Sequence, residues 1–135
     1  MINFVVLDSS VLIDQIRTNR HLHRMLHLDG ILRNSSVVLA ELWRGVNSAV
    51  DRKVVEALER SYQILTPTTN NWLESGQILA KIREDKGFEP SKLRDMHFDV
   101  LIALTARSHG ARLISSNRSD FELIRTYRDF KLEVW

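Results

Sequence analysis

The sequence predicts an α/β fold in which a central, mostly parallel sheet is covered by helices on both faces. The opening run Ile2-Asn3-Phe4-Val5-Val6-Leu7 is apolar, rich in β-branched and aromatic residues, and lacks the polar alternation of a half-exposed strand. Further short apolar runs recur along the chain, separated by segments whose apolar residues keep helical spacing. Acidic or amide residues follow several of these runs, at the sheet edge where open α/β folds collect ligands.

Taken in order, the first strand ends in Asp8, and Ser9 or Ser10 can cap a helix carrying Val11, Leu12 and Ile16. An Asp in this position is also a common helix cap, so a structural role stands beside a chemical one. After a break at Thr18-Asn19, Leu22, Met25 and Leu26 define a second helix ended by Asp29-Gly30. His23 and His27 stand four apart on it, but the Glu of an HExxH pair is absent, and a solvated face is the expectation.

Asn34-Ser35-Ser36-Val37-Val38 reads as a second strand. It leads into a helix whose stripe is Leu39, Leu42, Trp43 and Val46, with Glu41 in its first turn. There the helix dipole alone would favour a carboxylate. A helix around Val54–Glu59 precedes a strand at Tyr62–Leu65. A long helix from Asn70 or Asn71 places Trp72, Leu73, Ile78, Leu79 and Ile82 on its apolar stripe. Gly87 and Pro90 mark a loop.

From Ser91 onward Phe98, Leu101, Ile102 and Thr105 keep helical spacing, with Gly110 as the C′ residue and Asp95 as a capping candidate. Asp99 shares its face with Ile102, Ala103 and Ala106. A carboxylate among small apolar residues needs a cation or donor, because an unpaired buried charge is costly. Ala111–Ser116 is the fourth strand, followed by Asn117, Arg118, Ser119 and Asp120. Phe130–Trp135 alternates like an edge strand.

The 135 residues make one domain of ordinary size, spanning 1–135, with 44% hydrophobic and 27% charged residues. No run approaches the length of a membrane span, so no membrane partner is expected. Cys is absent, which removes disulfides and thiolate metal sites and fits a reducing cytoplasm. The formal charge of +2 and pI of 9.2 lean toward polyanionic partners.

Asp8, Glu41, Asp99 and Asn117 with Asp120 could all converge on one sheet edge. Crowded carboxylates raise one another's pKa unless a positive charge sits among them, and oxygen-only ligands point to Mg²⁺ or Mn²⁺. Such an ion can activate water against a phosphodiester, with nearby Arg and Lys offsetting the repulsion between phosphates and acids. Arg44, one turn from Glu41, is the candidate for that basic rim.

The stretches Val5–Asp14, Leu39–Leu42, Phe98–Ala106 and Leu113–Phe121 resemble, in order and spacing, the four motifs of PIN-domain ribonucleases, above all the VapC-type toxins of bacterial toxin–antitoxin pairs. The resemblance implies a PIN-like three-layer α/β/α fold and a Mg²⁺- or Mn²⁺-dependent endoribonuclease acting on single-stranded RNA. It implies Asp8 and Asp99 as metal ligands and Glu41 as the third acid. Asn117 stands where many members carry Asp, leaving open whether the fourth group is Asn117, Asp120 or both. Ser10, and with it Ser116, resembles the small polar residue that orients such a site. A homodimer and a VapB-like antitoxin, whose tail covers the site, are implied as partners.

Other readings remain. A haloacid-dehalogenase-like phosphatase needs an Asp where Ser10 stands, and a receiver domain needs one after its third strand, which Ile64-Leu65-Thr66-Pro67 lacks. A PIN-like binding module without catalysis is the alternative from another functional class.

Overall fold

The computed structural model describes residues 2–135. Five strands form one all-parallel sheet in the order β3-β2-β1-β4-β5. They are β1 (Phe4–Leu7), β2 (Ile31–Ser35), β3 (Ile64–Leu65), β4 (Arg112–Ser115) and β5 (Leu132–Val134). The helices are α1 (Ser9–Thr18), α2 (Leu22–Leu26), α3 (Ser36–Arg44), α4 (Ala49–Ser61), α5 (Thr69–Lys86), α6 (Pro90–Ser108) and α7 (Arg118–Tyr127). They flank the sheet as the outer layers of an α/β/α sandwich.

β1 is central because Val5 and Val6 offer apolar side chains to both faces, and each is fully buried. It pairs with β2 through Phe4↔Ile31 and with β4 through Leu7↔Ile114. The strand order reverses between β1 and β4, the topological switch point at which a crevice opens beyond the carboxyl ends. α6 supplies the thickest helical wall, with Val100 through Ala106 all buried. The Gly87 C-cap of α5 sits at φ 65, a left-handed conformation that glycine adopts without strain.

Several boundaries differ from the sequence expectation. The second strand lies at Ile31–Ser35 rather than Asn34–Val38, because Ser35 Oγ accepts from the Val38 amide at 3.3 Å and caps α3. Val37 and Val38 are buried, so packing overrides the β preference of their branched side chains. Glu41 consequently falls in the second turn of α3, where the helix dipole no longer explains it. α6 begins at Pro90, which takes the first helical position where its missing N–H costs nothing. Asp95 is therefore inside the helix rather than a cap, and Asp99 is near its middle. α5 buries Asn71, Ser75, Ile78 and Ile82, whereas Trp72 and Leu73 are 51% and 65% exposed and lie off the buried stripe. Ile16 of α1 is likewise exposed.

Candidate active site

Asp8 follows β1 at the switch point, and its amide donates to Ile114 O at 2.8 Å, continuing the β1–β4 ladder. It occupies the N-cap position of α1, yet its side chain makes no capping bond. Neither Ser9 nor Ser10 caps the helix in its place. Ser10 Oγ donates to Asp8 Oδ2 at 2.7 Å, and Ser115 Oγ, from the end of β4, donates to the same oxygen at 2.8 Å. Each hydroxyl has one proton and spends it on Asp8, so their mutual 3.3 Å approach is a contact enforced by the shared acceptor. Ser10 and Ser115 in turn accept from the amides of Ser116 at 3.1 Å and Asn117 at 2.9 Å. The carboxyl group of Asp8 is thus held from two elements.

Asp8 Oδ1 is buried and has no hydrogen-bond partner among the described residues. An unpartnered buried carboxylate oxygen carries a large desolvation penalty unless something positive meets it.

Glu41 is brought alongside by α3, and Ser9 Oγ donates to its Oε1 at 3.2 Å. Burial pushes its carboxyl up, and repulsion from Asp8 adds to this; the Ser9 bond and the Arg44 charge oppose it. Asp99 enters from α6. Burial first, then repulsion from Asp8, Glu41 and Asp120, pushes its carboxyl up to about 8, with Lys92 acting in the opposite direction. Asp99 thus lies within electrostatic reach of Asp8, Glu41 and Asp120, and Glu41 within that of Asp8.

Asp120 lies in the first turn of α7, where a carboxylate is favoured by the helix dipole. Lys92 Nζ approaches its Oδ1 and Oδ2 at 3.0 and 3.3 Å, and Asn117 Nδ2 donates to Oδ2 at 3.2 Å. The two candidates for the fourth position therefore form one hydrogen-bonded unit.

The donor set suits a hard divalent cation. Among the described residues, no three His, Asp or Glu side chains close into a cage around a single ion. Mg²⁺ does not need one, because it keeps several waters and is held by one or two carboxylates. Asp8 Oδ1 is the oxygen free for that purpose. His23 and His27 do not compete. Their ring centroids lie 4.3 Å apart, with His27 Nδ1 directed to the His23 carbonyl at 2.8 Å, and no further ligand among the described residues joins them.

Arg44 lies over the Phe98 ring at 5.5 Å and lines a groove with Glu41, Arg94, Asp95 and Phe98. Two cationic side chains thus share a groove with Glu41 and Asp95. Ser116 does not orient Asp8. Its hydroxyl is buried and has no partner among the described residues, and Ser115 makes that contact instead. Ser9, Lys92, Arg94 and Ser115 are site residues that sequence reasoning did not single out. The register Leu7↔Ile114, which sets Ser115 beside Asp8, is the signal that would have found Ser115.

The PIN domain family profile matches residues 5–126. Among solved structures, a chain of the DNA-bound VapBC from Salmonella typhimurium is 27% identical at a TM-score of 0.74, with 100% of this chain and 99% of that chain covered. A chain of VapBC2 from Rickettsia felis, bound to a promoter DNA fragment, is 22% identical at a TM-score of 0.74, covering 98% of each chain. A chain of VapBC-1 from nontypeable Haemophilus influenzae is 23% identical at 0.71, again covering 98% of each. No curated protein sequence matches. The family match over most of the chain, joined to the all-parallel sheet with its acids at the switch point, leads to one conclusion: the chain belongs to the PIN-domain family, and the members it resembles are of the VapC type.

Proposed function

We propose that the chain is the toxin of a type II toxin–antitoxin pair and an endoribonuclease that hydrolyses phosphodiester bonds of single-stranded RNA with Mg²⁺ or Mn²⁺. One observation carries this reading: Asp8 Oδ1 is buried without a donor among the described residues, on an acid that lies within electrostatic reach of Glu41 and Asp99. Asp8 and Asp99 would hold the ion. When bound, such an ion offsets the crowded negative charge and lowers the pKa of the attacking water.

The chain's own residues do the rest. Ser10 and Ser115 fix the Asp8 carboxyl group through Oδ2 and leave Oδ1 without a donor among the described residues. Glu41 is held through Oε1 by Ser9, and its carboxylate accepts the proton of a water that attacks phosphorus, while the P–O bond to the leaving ribose oxygen breaks and that oxygen takes its proton from solvent. Arg44 and Arg94 border the groove and reduce the repulsion between RNA phosphates and the acids.

The solved relatives are VapBC complexes, and a VapB-like antitoxin is the partner proposed here. A groove lined by Ile13, Ile16, Leu42, Val46 and Val55 opens beside Glu41 and suits the apolar face of an antitoxin tail. Pairing as a homodimer belongs to the same reading. No helix among the described residues is long and apolar enough to cross a membrane.

The test uses purified protein and a single-stranded RNA of mixed sequence. Cleavage should require Mn²⁺ or Mg²⁺, stop in EDTA, and be lost in a folded Asp8→Asn variant. RNA binding without any metal-dependent cleavage would favour the non-catalytic binding module, and cleavage surviving both EDTA and Asp8→Asn would overturn the site.

A further inference from the structure

We infer that Lys92 is a built-in cation occupying the place of a second metal, so that the site takes one divalent ion, at its Asp8 end. This rests on the metal-site reading above and concerns its stoichiometry. Lys92 lies in the first turn of α6, two turns before Asp99 and on the same face of the helix. The amino end of a helix disfavours a positive side chain, so the placement of Lys92 calls for an anionic partner. That partner is Asp120, whose two oxygens it meets at 3.0 and 3.3 Å.

The two ends of the acidic cluster differ in what they still need. Both oxygens of Asp120 are engaged by donors, since Asn117 Nδ2 also reaches Oδ2 at 3.2 Å. Its side chain is 20% exposed, so little water remains to replace those donors. At the other end, Asp8 Oδ1 is buried and has no donor among the described residues. Two-metal sites place ions about 3.5–4 Å apart with carboxylates between them. Here the ammonium stands against Asp120 and is close enough to act on the charge of Asp99. A second divalent ion would have to displace it and would meet its repulsion.

The test is the number of Mn²⁺ ions bound per chain, measured by calorimetric titration and by electron paramagnetic resonance, on full-length protein whose fold is checked by thermal melting. Wild type should bind one. Lys92→Met should bind two, with spin coupling between them, and Lys92→Arg, which keeps the charge, should bind one. Adding Asp120→Asn to Lys92→Met should return the count to one. Two ions in wild type, or one in a folded Lys92→Met, overturns the role of Lys92 and leaves the Asp8 site standing. No Mn²⁺ bound by wild type overturns the metal-site reading beneath it.

Discussion

Replacing Asp99 by Asn removes one of several like charges without changing shape, and the structure fixes both the sign and the pH window of the effect. In the metal-free protein burial, and then Asp8, Glu41 and Asp120, push the Asp99 carboxyl from 3.8 up to about 8. Between those values the folded chain keeps a proton that the unfolded chain has released. The folded state then binds more protons, so this group makes stability fall as pH rises through the window and leaves it flat outside. One pH unit of such a difference is worth about 1.4 kcal/mol, which makes the full window an upper bound of several kcal/mol. Side-chain relaxation and sharing of the repulsion with neighbouring acids reduce the realised gain to about 2–3 kcal/mol. Asn is neutral throughout. Asp99→Asn should therefore melt close to wild type at pH 4 in EDTA, and about 8 °C higher at pH 9. Circular dichroism melts at the two pH values measure this directly. Saturating Mn²⁺ should raise the wild-type melting temperature, since an ion bound at a hundred times its Kd adds about 2.7 kcal/mol, and should move the variant much less. A variant no more stable than wild type at pH 9 in EDTA would refute the placement of Asp99 within the acidic cluster.

Ser115→Ala removes one of two hydroxyls holding Asp8 Oδ2, and should lower metal-dependent cleavage at least about tenfold while costing about 1 kcal/mol of stability; activity equal to wild type would contradict the supporting role. Arg44→Ala should weaken RNA binding and reduce its dependence on salt, with the melting temperature nearly unchanged, as filter binding at several salt concentrations would reveal. Gly30→Ala should destabilise the fold by about 1–3 kcal/mol, because φ is 143 and a Cβ would stand 2.8 Å from Val5 Cγ2 and 2.9 Å from Asn3 O. Denaturant unfolding measures it, and an unchanged midpoint would contradict the tight β1–β2 approach.

The acids were legible in the sequence because each interrupts a pattern. Asp8 terminates an unbroken apolar run, and Asp99 lies among small apolar residues on a helix. Glu41 was legible only in part: placing the strand over Val37 and Val38 followed β propensity, whereas the Ser35 cap and burial put those residues in α3. Trp72 and Leu73 misled for the opposite reason. Helical spacing admits several stripes, and the one that packs in α5 runs through Asn71 and Ser75. Ser115 and Lys92 could not be read locally. One depends on the register between strands far apart in the chain, and the other on α6 starting at Pro90 and lying beside α7.

The central position of β1 has a consequence for how the protein comes into being. Its partner on one side, β4, follows about a hundred residues later, and Ser115 meets Asp8 across a sequence separation of 107. Contacts so distant close late in folding, after the entropy of the intervening loop has been paid. A growing polypeptide therefore carries Asp8 from the outset but cannot bring it together with Ser115 and the acids of α6 and α7 until β4 and α7 have emerged, and a product truncated before Arg112 lacks both Ser115 and Asp120.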